Sequence, residues 1–262
     1  MILQQHFIPS TVSALSALKW LGLSAMVLAV LACSGTNTKK VAEDAKPTLM
    51  PTKQFIPVQE FDKKTGLEVP YEKAENPYTS QKGRIKKESV TAFIQAKRAY
   101  KAKQWESAKR ILTTLVENDK SISGPWMMLG DIAIEQNDIE TAKEKYEQAI
   151  KVNKDNINAY LKLAKIQREQ GQFIAAQNTY TSALTVWPDF PEAHLNLGVL
   201  YDIYLNHPIR AQQHMEAYLF LTGWKDEKVK TWLAEIQSRT GIATTYKLPE
   251  ENSQPPLTSA GS

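Results

Sequence analysis

The pattern of apolar and polar residues divides the chain into four parts. A continuous run of apolar and small residues occupies positions 20–32, and a polar stretch without sustained periodicity follows it until about residue 88. Apolar residues then recur at helical spacing over residues 89–240, and this spacing is lost over residues 241–262. Helical spacing places apolar side chains on one face of a helix, which packs against a neighbour. The sequence therefore predicts one folded helical domain over residues 89–240.

The apolar run at residues 20–32 has the features of a secretory signal. Lys19 stands directly before the run, and no acidic residue precedes it. The run has thirteen residues, whereas a helix that spans a membrane needs about 20. A short apolar core after a positive residue is typical of a signal peptide that is removed after export. We therefore expect residues 1–32 to be a signal peptide.

Cys33 directly follows this run and is the only cysteine of the chain, so it can form no intramolecular disulfide. The run ends in the sequence VLAC at residues 30–33, which resembles the lipobox of bacterial lipoproteins. This resemblance implies that Cys33 is lipidated, with palmitate among its acyl chains, and begins the mature protein. Ser34, which follows it, implies sorting to the outer membrane. The alternative is an inert cysteine beside an ordinary cleavage site.

Residues 33–88 are rich in Lys, Glu, Thr and Pro and show neither a helical nor an alternating apolar pattern. This composition predicts a lipidated N-terminus followed by a disordered linker. Aromatic residues interrupt the stretch at Phe55, at Phe61 and from Tyr71 to Tyr78. We favour local contacts of these aromatic residues with the folded domain over a peptide that docks on a partner.

A period of 34 residues runs through the helical part. Leu129, Leu163 and Leu197 are spaced by this period, and a small residue follows each of them. A period of 20 to 50 residues indicates a repeated supersecondary unit. The same period relates Gly130, Ala164 and Gly198; Trp126, Tyr160 and His194; Ala142 and Ala176; Tyr146 and Tyr180; and Ala149 and Ala183.

These residue types and offsets resemble the tetratricopeptide repeat (TPR), in which each unit is a pair of antiparallel helices. The resemblance implies an all-α fold, an antiparallel helix-pair solenoid known as the TPR superhelix. The second half of the last unit is shifted by one residue, so that Ala211 takes the place of the small residue. The repeats are assigned to residues 89–122, 123–156, 157–190 and 191–225.

The residues after the fourth repeat predict a helix that covers the end of the array. Val229, Trp232, Leu233 and Ile236 form one apolar stripe within residues 226–240. The last unit of a repeat array needs such a cover, because no further unit buries its apolar face. Residues 241–262 carry no pattern, and we expect a disordered tail there.

The recurrent glycines predict close contact between the two helices of a pair. Glycine inside a helix costs about 1 kcal/mol relative to alanine. Its return at Gly130 and Gly198, with Ala164 between them, therefore indicates that a neighbouring helix leaves no room for a side chain. Tyr146 and Tyr180 are expected to fill the space between adjacent pairs.

The chain shows no recognisable catalytic or metal-binding motif. Its 32 basic and 28 acidic side chains give a net charge of +4, too small and too dispersed for a nucleic-acid protein. His194, His207 and His214 lack the spacing of a metal site. Asp131 and Glu135 lie one helical turn apart and favour an acidic spot on a helix face over catalytic carboxylates. We expect no enzyme activity, no cofactor, no metal ion and no nucleic acid.

In the TPR family the first helix of each pair lines a concave groove that binds a partner. Some members hold a terminal carboxylate with Lys and Asn side chains. Lys162, Lys165 and Arg168 favour contact with an acidic group, although Asn196 is the only asparagine beside them in this groove. Glu135 and Glu169 share this face. The groove residues expected from helical phase are Lys97, Tyr100, Met127, Asp131, Ile134, Leu161, Lys162, Lys165, Arg168, Leu195, Asn196, Val199 and Asp202.

These features predict an adaptor that is anchored to the outer membrane by lipid and faces the periplasm. Its partner would be another protein of the cell envelope. Analogy with lipoproteins of this kind suggests a pilus, secretion, motility or TonB-like assembly. The alternative is a peptidoglycan-associated factor that binds the cell wall or regulates its enzymes. That alternative requires aromatic rings exposed in the groove.

Overall fold

The computed structural model describes residues 48–81, 83, 85–244 and 246–248. The predicted signal peptide, the lipidation at Cys33 and the tail beyond Leu248 lie outside these residues. Within the described part, no helix is both long enough and apolar enough to cross a membrane.

The described residues form nine α-helices, arranged as four antiparallel pairs and one final helix, which confirms the predicted fold class. No strand occurs among them apart from a single bridge between Phe61 and Glu68. The first two pairs are α1 (Lys87–Lys101) with α2 (Trp105–Asn118) and α3 (Gly124–Glu135) with α4 (Ile139–Val152). The next two are α5 (Ile157–Glu169) with α6 (Phe173–Val186) and α7 (Pro191–Val199) with α8 (Pro208–Leu221), and α9 (Glu227–Thr240) follows.

Local sequence explains where several helices begin and end. Asp138 accepts a hydrogen bond from the backbone N–H of Thr141 at the start of α4, and Asp226 accepts two at the start of α9. Such side chains satisfy backbone N–H groups that have no partner within the helix. Gly241 ends α9 with φ of 68°, a left-handed conformation that favours glycine.

The one-residue shift in the fourth repeat appears in the structure as a π-helical turn. Helix α7 continues into Leu200–Tyr204, and the backbone N–H of Leu205 donates to the carbonyl of Leu200, five residues earlier. A π turn absorbs one extra residue without ending the helix. The extra residue therefore moves the start of α8 by one position relative to the 34-residue period.

The core lies between the helices of each pair and between successive pairs. Leu112 and Ile132 are buried between the first and second pairs. Tyr180 and Leu197 are fully buried between the third and fourth pairs, and Ile236 of α9 joins the same cluster. Burying one such side chain contributes roughly 1.5–3 kcal/mol. The predicted covering role of α9 is therefore confirmed.

The predicted close contacts at the glycines are confirmed. A Cβ atom at Gly130 would stand 2.5 Å from Cε1 of Tyr146, and one at Gly198 would stand 2.7 Å from Cγ of Met215. Both distances are far below van der Waals contact. Each glycine therefore makes room for a side chain of the second helix in its own pair.

The prediction of a disordered linker is wrong for residues 48–81, which we call the strap. The backbone N–H of Met50 donates to Gln177 at 3.0 Å, and the side chain of Gln177 donates back to the Met50 carbonyl at 2.9 Å. Further along, Asp189 accepts from the Tyr71 hydroxyl at 2.7 Å and from the Ala74 backbone at 2.6 Å. Apart from a short 3-10 helix at Lys53–Phe55 and the bridge between Phe61 and Glu68, the strap has no regular secondary structure, so its sequence carries no periodicity that would reveal these contacts.

The aromatic residues of the strap pack against the repeats, as the favoured interpretation predicted. The ring of Tyr71 meets Phe220 edge to face at 5.1 Å between centroids, and Phe55 and Tyr78 lie against the core. At the end of the strap, Gln81 donates to Asp155 at 2.7 Å. The strap therefore runs back along the array, from α6 and α8 to the residues before α1.

The strap reaches the core at Thr52, whose hydroxyl contacts one of two buried histidines. The ring nitrogens Nδ1 of His194 and His214 lie 2.9 Å apart, Nε2 of His194 is 2.9 Å from the Pro188 carbonyl, and Nε2 of His214 is 2.9 Å from the Thr52 hydroxyl. A carbonyl only accepts, so His194 donates through Nε2 and accepts at Nδ1 from His214. The Thr52 hydroxyl then donates to His214. These donor and acceptor roles hold when both rings are neutral, the state that burial favours by lowering the pKa of both histidines.

The prediction of a disordered tail is wrong for its described part. Tyr246 is buried, its ring stacks on Phe220 at 4.7 Å, and its hydroxyl donates to the Pro57 carbonyl at 2.5 Å. The backbone N–H of Lys247 donates to the side chain of Gln59 at 2.6 Å. The two ends of the described chain are therefore joined to each other beside the fourth repeat.

Candidate partner-binding groove

A cavity opens between the first helices of the first three pairs. Its volume is about 160 Å³. Its walls combine apolar side chains with five charged ones, the mixture that is usual in binding sites. We call it the groove, and it is lined by Tyr100, Asp131, Ile134, Glu135, Tyr146, Lys162, Lys165, Ile166 and Glu169.

Asp131 is the centre of a charged network in the groove. Its Oδ1 atom accepts a hydrogen bond from the Tyr146 hydroxyl at 2.7 Å. The same atom forms an ion pair with Nζ of Lys162 at 2.9 Å. The same Nζ atom lies 5.9 Å from the centre of the Tyr146 ring. Burial raises the pKa of Tyr146, and the negative charge of Asp131 raises it further. The positive charge of Lys162 is therefore offset within the fold.

The outer rim of the groove is more exposed. Lys165 and Glu169 form a loose ion pair at 3.8 Å, and more than half of each side chain is exposed. The carboxylate of Glu135 is exposed and makes no hydrogen bond or ion pair with any other described residue. Tyr100 beside it is half-buried, and its pKa is raised by burial and then by the charges of Asp131 and Glu135.

The structure brings five of the predicted groove residues together, along with Glu135 and Glu169. Lys97 and Arg168 do not line the cavity, and Asn196 accepts from the Tyr180 hydroxyl at 3.3 Å. The remaining apolar residues are half-buried and support the core. The five in the groove are Tyr100, Asp131, Ile134, Lys162 and Lys165. The supporting ones are Met127, Leu161, Leu195 and Val199.

The prediction that Asp202 faces a partner is wrong. Its carboxylate accepts from Nε1 of Trp232 at 2.8 Å and from Nη2 of Arg239 at 2.5 Å, and only 8% of its side chain is exposed. Asp202 lies within the π-helical turn, where extrapolation of an α-helical phase fails. Its contacts hold α9 on the fourth pair instead.

Sequence reasoning missed Tyr146 and Ile166 as groove residues. It treated Tyr146 as structural because of its repeat position, and in the structure the tyrosine is both buried in the core and part of the groove wall. A second hollow of about 330 Å³ lies between α4, α5 and α6, with Ile150, Tyr160 and Leu163 in its lining. It is larger but more open, and most of its lining residues belong to the second helices α4 and α6. The groove remains the candidate because it contains both oriented polar groups and apolar walls.

The described residues were also compared with the requirements of a metal site and of a free histidine. Within residues 48–81, 83, 85–244 and 246–248, no three His, Cys, Asp or Glu side chains are grouped in a way that would hold a metal ion. His194 and His214 already use their ring nitrogens within the core, and His207 is exposed.

Comparison with known families identifies the repeated unit. A family model described as "TPR repeat" matches residues 130–171, and one described as "Tetratricopeptide repeat" matches residues 161–202. These residues run from the middle of α3 to the π-helical turn that follows α7. The chain is a tetratricopeptide-repeat protein.

Solved structures share the fold of this TPR protein. A TPR protein from Parabacteroides merdae is 21% identical, with a TM-score of 0.52, over 60% of this chain and 61% of that one. PilF of Pseudomonas aeruginosa is 19% identical, with a TM-score of 0.50, over 58% and 69% of the two chains. MamA from Desulfovibrio magneticus is 16% identical, with a TM-score of 0.50, over 60% and 88%. No curated protein matches the chain.

Proposed function

We propose that this TPR protein is an adaptor that binds another protein through the groove. TPR arrays are generally a non-catalytic fold for protein interaction. The observation that carries the proposal is that some polar side chains of the groove have no partner within the described fold. Glu135 is exposed and Tyr100 is half-buried, and neither side chain makes a hydrogen bond or ion pair with another described residue, beside the apolar wall of Ile134. Such a surface suits a segment of a partner protein.

We further propose that the adaptor is held by lipid at Cys33 on the periplasmic face of the outer membrane, within an envelope assembly. The support is the sequence: the apolar run at residues 20–32, the positive residue before it and the single cysteine at its end. A pilus, secretion, motility or TonB-like system is the kind of assembly proposed.

The strap fixes where the described chain begins relative to the repeats. The Thr48 carbonyl accepts from Asn178 of α6 at 2.9 Å, so the chain enters the fold beside the third and fourth pairs. Fourteen residues, 34–47, separate Cys33 from this point. At full extension they span about 50 Å.

The alternative, direct binding of peptidoglycan, has less support. Sugar rings are usually bound by exposed aromatic faces, and Tyr146 in the groove is 2% exposed. Tyr100 is the other ring in the groove lining, and it packs edge to face against Trp105 at 5.1 Å. Sedimentation with purified peptidoglycan tests this alternative, since a binding that survives protease treatment of the cell wall would favour it.

Site-specific photo-crosslinking in the native host tests the adaptor function. A photoreactive phenylalanine analogue replaces Glu169 at the groove rim in one strain and the exposed Glu144 of α4 in the control strain. We expect a discrete protein adduct from Glu169 alone, and mass spectrometry of the adduct identifies the partner. Adducts of equal yield from both positions, or none from the groove, would reject the groove as the binding surface.

Mass spectrometry of the mature N-terminus, together with membrane fractionation, tests the anchor. The wild type and Cys33→Ala are expressed in a Gram-negative host. We expect an acylated Cys33 in the outer-membrane fraction of the wild type and a soluble or signal-retaining product of the variant. An unmodified, soluble wild type would remove the anchor and leave the groove proposal standing.

A further inference from the structure

The charges of the groove are unevenly balanced. Lys162 is paired with Asp131 at 2.9 Å, and Lys165 is loosely paired with Glu169 at 3.8 Å. Glu135 is the one lining charge without an ion-pair partner among the described residues. The groove therefore presents a net negative charge to an incoming side chain, although lysines are part of its wall.

The environment of Tyr100 supports this negative character. Its ring belongs to α1. Burial raises the pKa of its hydroxyl, and the charges of Asp131 and Glu135 on α3 raise it further. The half-buried ring of Tyr100 and the half-buried side chain of Ile134 offer contact to an aliphatic stem. Long basic side chains combine an apolar stem with a charged end, and an aromatic ring attracts that end through its face.

We propose that the groove receives a lysine or arginine side chain of the partner protein. The stem of this side chain packs against Tyr100 and Ile134, and its cationic end pairs with Glu135. This inference rests on the proposed adaptor function and names the chemistry of the partner. The recognised feature is a basic residue within an otherwise apolar segment.

The opposite reading, in which Lys162, Lys165 and Arg168 bind an acidic partner, is less favourable in this geometry. An acid that captured Lys162 would remove the ion-pair partner of Asp131, whose side chain is only 22% exposed. Separating a partly buried carboxylate from its partner carries a cost beyond the new contact. The acid would also approach Glu135, a charge of the same sign.

Peptide titration by nuclear magnetic resonance tests the inference. The chain from residue 33 onwards, with Cys33→Ala and ¹⁵N label, is titrated with acetyl-Ala-Leu-X-Leu-Ala-amide, where X is arginine, citrulline or glutamate. Citrulline keeps the shape of arginine without its charge. We expect the arginine peptide to shift the amide signals of Tyr100 and Glu135 saturably, with at least fivefold higher affinity than the citrulline peptide. High salt should reduce this advantage, because it screens exposed charges.

Two matched variants assign the effect to one carboxylate. Glu135→Gln should lower the affinity for the arginine peptide to that for citrulline, whereas Glu117→Gln, at an exposed position of α2, should leave it unchanged. Equal binding of all three peptides in the groove would overturn the charge selection and leave the adaptor function intact. Preference for glutamate, or no response of the groove to any peptide, would also overturn the inference. The photo-crosslinking experiment tests the adaptor function separately, because the absence of adducts from the groove in cells would reject that function.

Discussion

The ring of Tyr146 lies directly against the backbone of Gly130, on the opposite helix of the same pair. A Cβ atom at Gly130 would be 2.5 Å from Cε1, 2.8 Å from Cδ1 and 3.0 Å from Cζ of that ring. The hydroxyl of the same tyrosine donates to Asp131 in the groove. One residue therefore joins the packing of a helix pair to the geometry of the binding surface.

Substituting Gly130 with alanine should destabilise the fold even though alanine favours helices. The gain in helix propensity is about 1 kcal/mol, and a buried ring that must shift costs roughly 1–3 kcal/mol. We expect Gly130→Ala to lower the free energy of unfolding by about 1 kcal/mol, and Gly130→Leu to lower it much further. Urea unfolding measures both. Gly83→Ala is the control, because nothing lies within 4 Å of its added carbon; equal effects at both sites would contradict the assigned contact.

Acid should destabilise the fold through the histidine pair. Burial lowers the pKa of His194 from 6.5 to about 4, and burial together with the charges of His194 and Arg210 lowers that of His214 well below 6.5. The hydrogen bond to the Pro188 carbonyl and then the charge of Asp189 act in the opposite sense on His194. Between pH 6.5 and about 4 the unfolded chain therefore binds protons that the folded chain does not. The free energy of unfolding should fall with decreasing pH in this window, by up to about 1.4 kcal/mol per pH unit for each histidine.

Urea unfolding at half-unit steps from pH 4.5 to 7.5 measures this slope. The buried carboxyl of Glu216 has a raised pKa and works in the opposite sense, so the series is best made in Glu216→Gln. Aspartates with lowered pKa, such as Asp119, lose their contribution only near and below pH 3.8. His214→Gln should flatten the slope, and His207→Gln, at an exposed site, should keep it. A flat profile in the parent would refute the neutral pair.

Removing the Thr52 hydroxyl should loosen the strap. In Thr52→Val the buried Nε2 atom of His214 loses its hydrogen-bond donor, and an unsatisfied buried polar atom costs about 1–3 kcal/mol. We expect a loss of this size in unfolding free energy and faster amide exchange at Met50, whose N–H is bonded to α6. Thr114→Val, at an exposed position of α2, should change neither quantity. Unchanged exchange at Met50 would mean that the strap is held elsewhere.

Reversing the charge of Lys162 should disturb the groove more than reversing that of Lys165. Lys162→Glu places a carboxylate beside Asp131, whereas Lys165→Glu faces Glu169 on an exposed rim. Exposed pairs contribute little, so Lys165→Glu should stay within about 0.5 kcal/mol of the wild type. Lys162→Glu should lower the free energy of unfolding by about 1 kcal/mol or more. Thermal and urea unfolding compare the two, and equal losses would contradict the pairing of Lys162 with Asp131.

The repeats could be predicted because their packing requirement recurs in the sequence. Gly130 and Gly198 each admit a side chain from the second helix of their pair, so the same residue type returns with the same period. The one-residue shift before Ala211 was also visible, although only the structure shows it as a π-helical turn. Fold class and helix order therefore follow from physical constraints that act locally.

The strap and the state of the groove charges could not be predicted in this way. The strap makes its hydrogen bonds to side chains such as Gln177 and Asp189, more than 100 residues away, and no periodic signal accompanies such contacts. Helical phase places Lys162 and Asp131 on one face but does not say that they neutralise each other. It also assigned Asp202 to the groove across a turn that changes the phase.

The strap also constrains the order in which the chain folds and the number of repeats that the array can contain. In an open array each unit contacts only its neighbours, so folding starts anywhere and units are added or lost freely. Here Thr52 reaches α8 across 162 positions, and Tyr246 reaches Pro57 across 189. The strap is synthesised before the repeats, but it can be buried only once α8 and the residues around Tyr246 have been synthesised. A duplicated repeat would separate Thr52 from His214 by the width of one helix pair, so the length of the strap limits how far the array can grow.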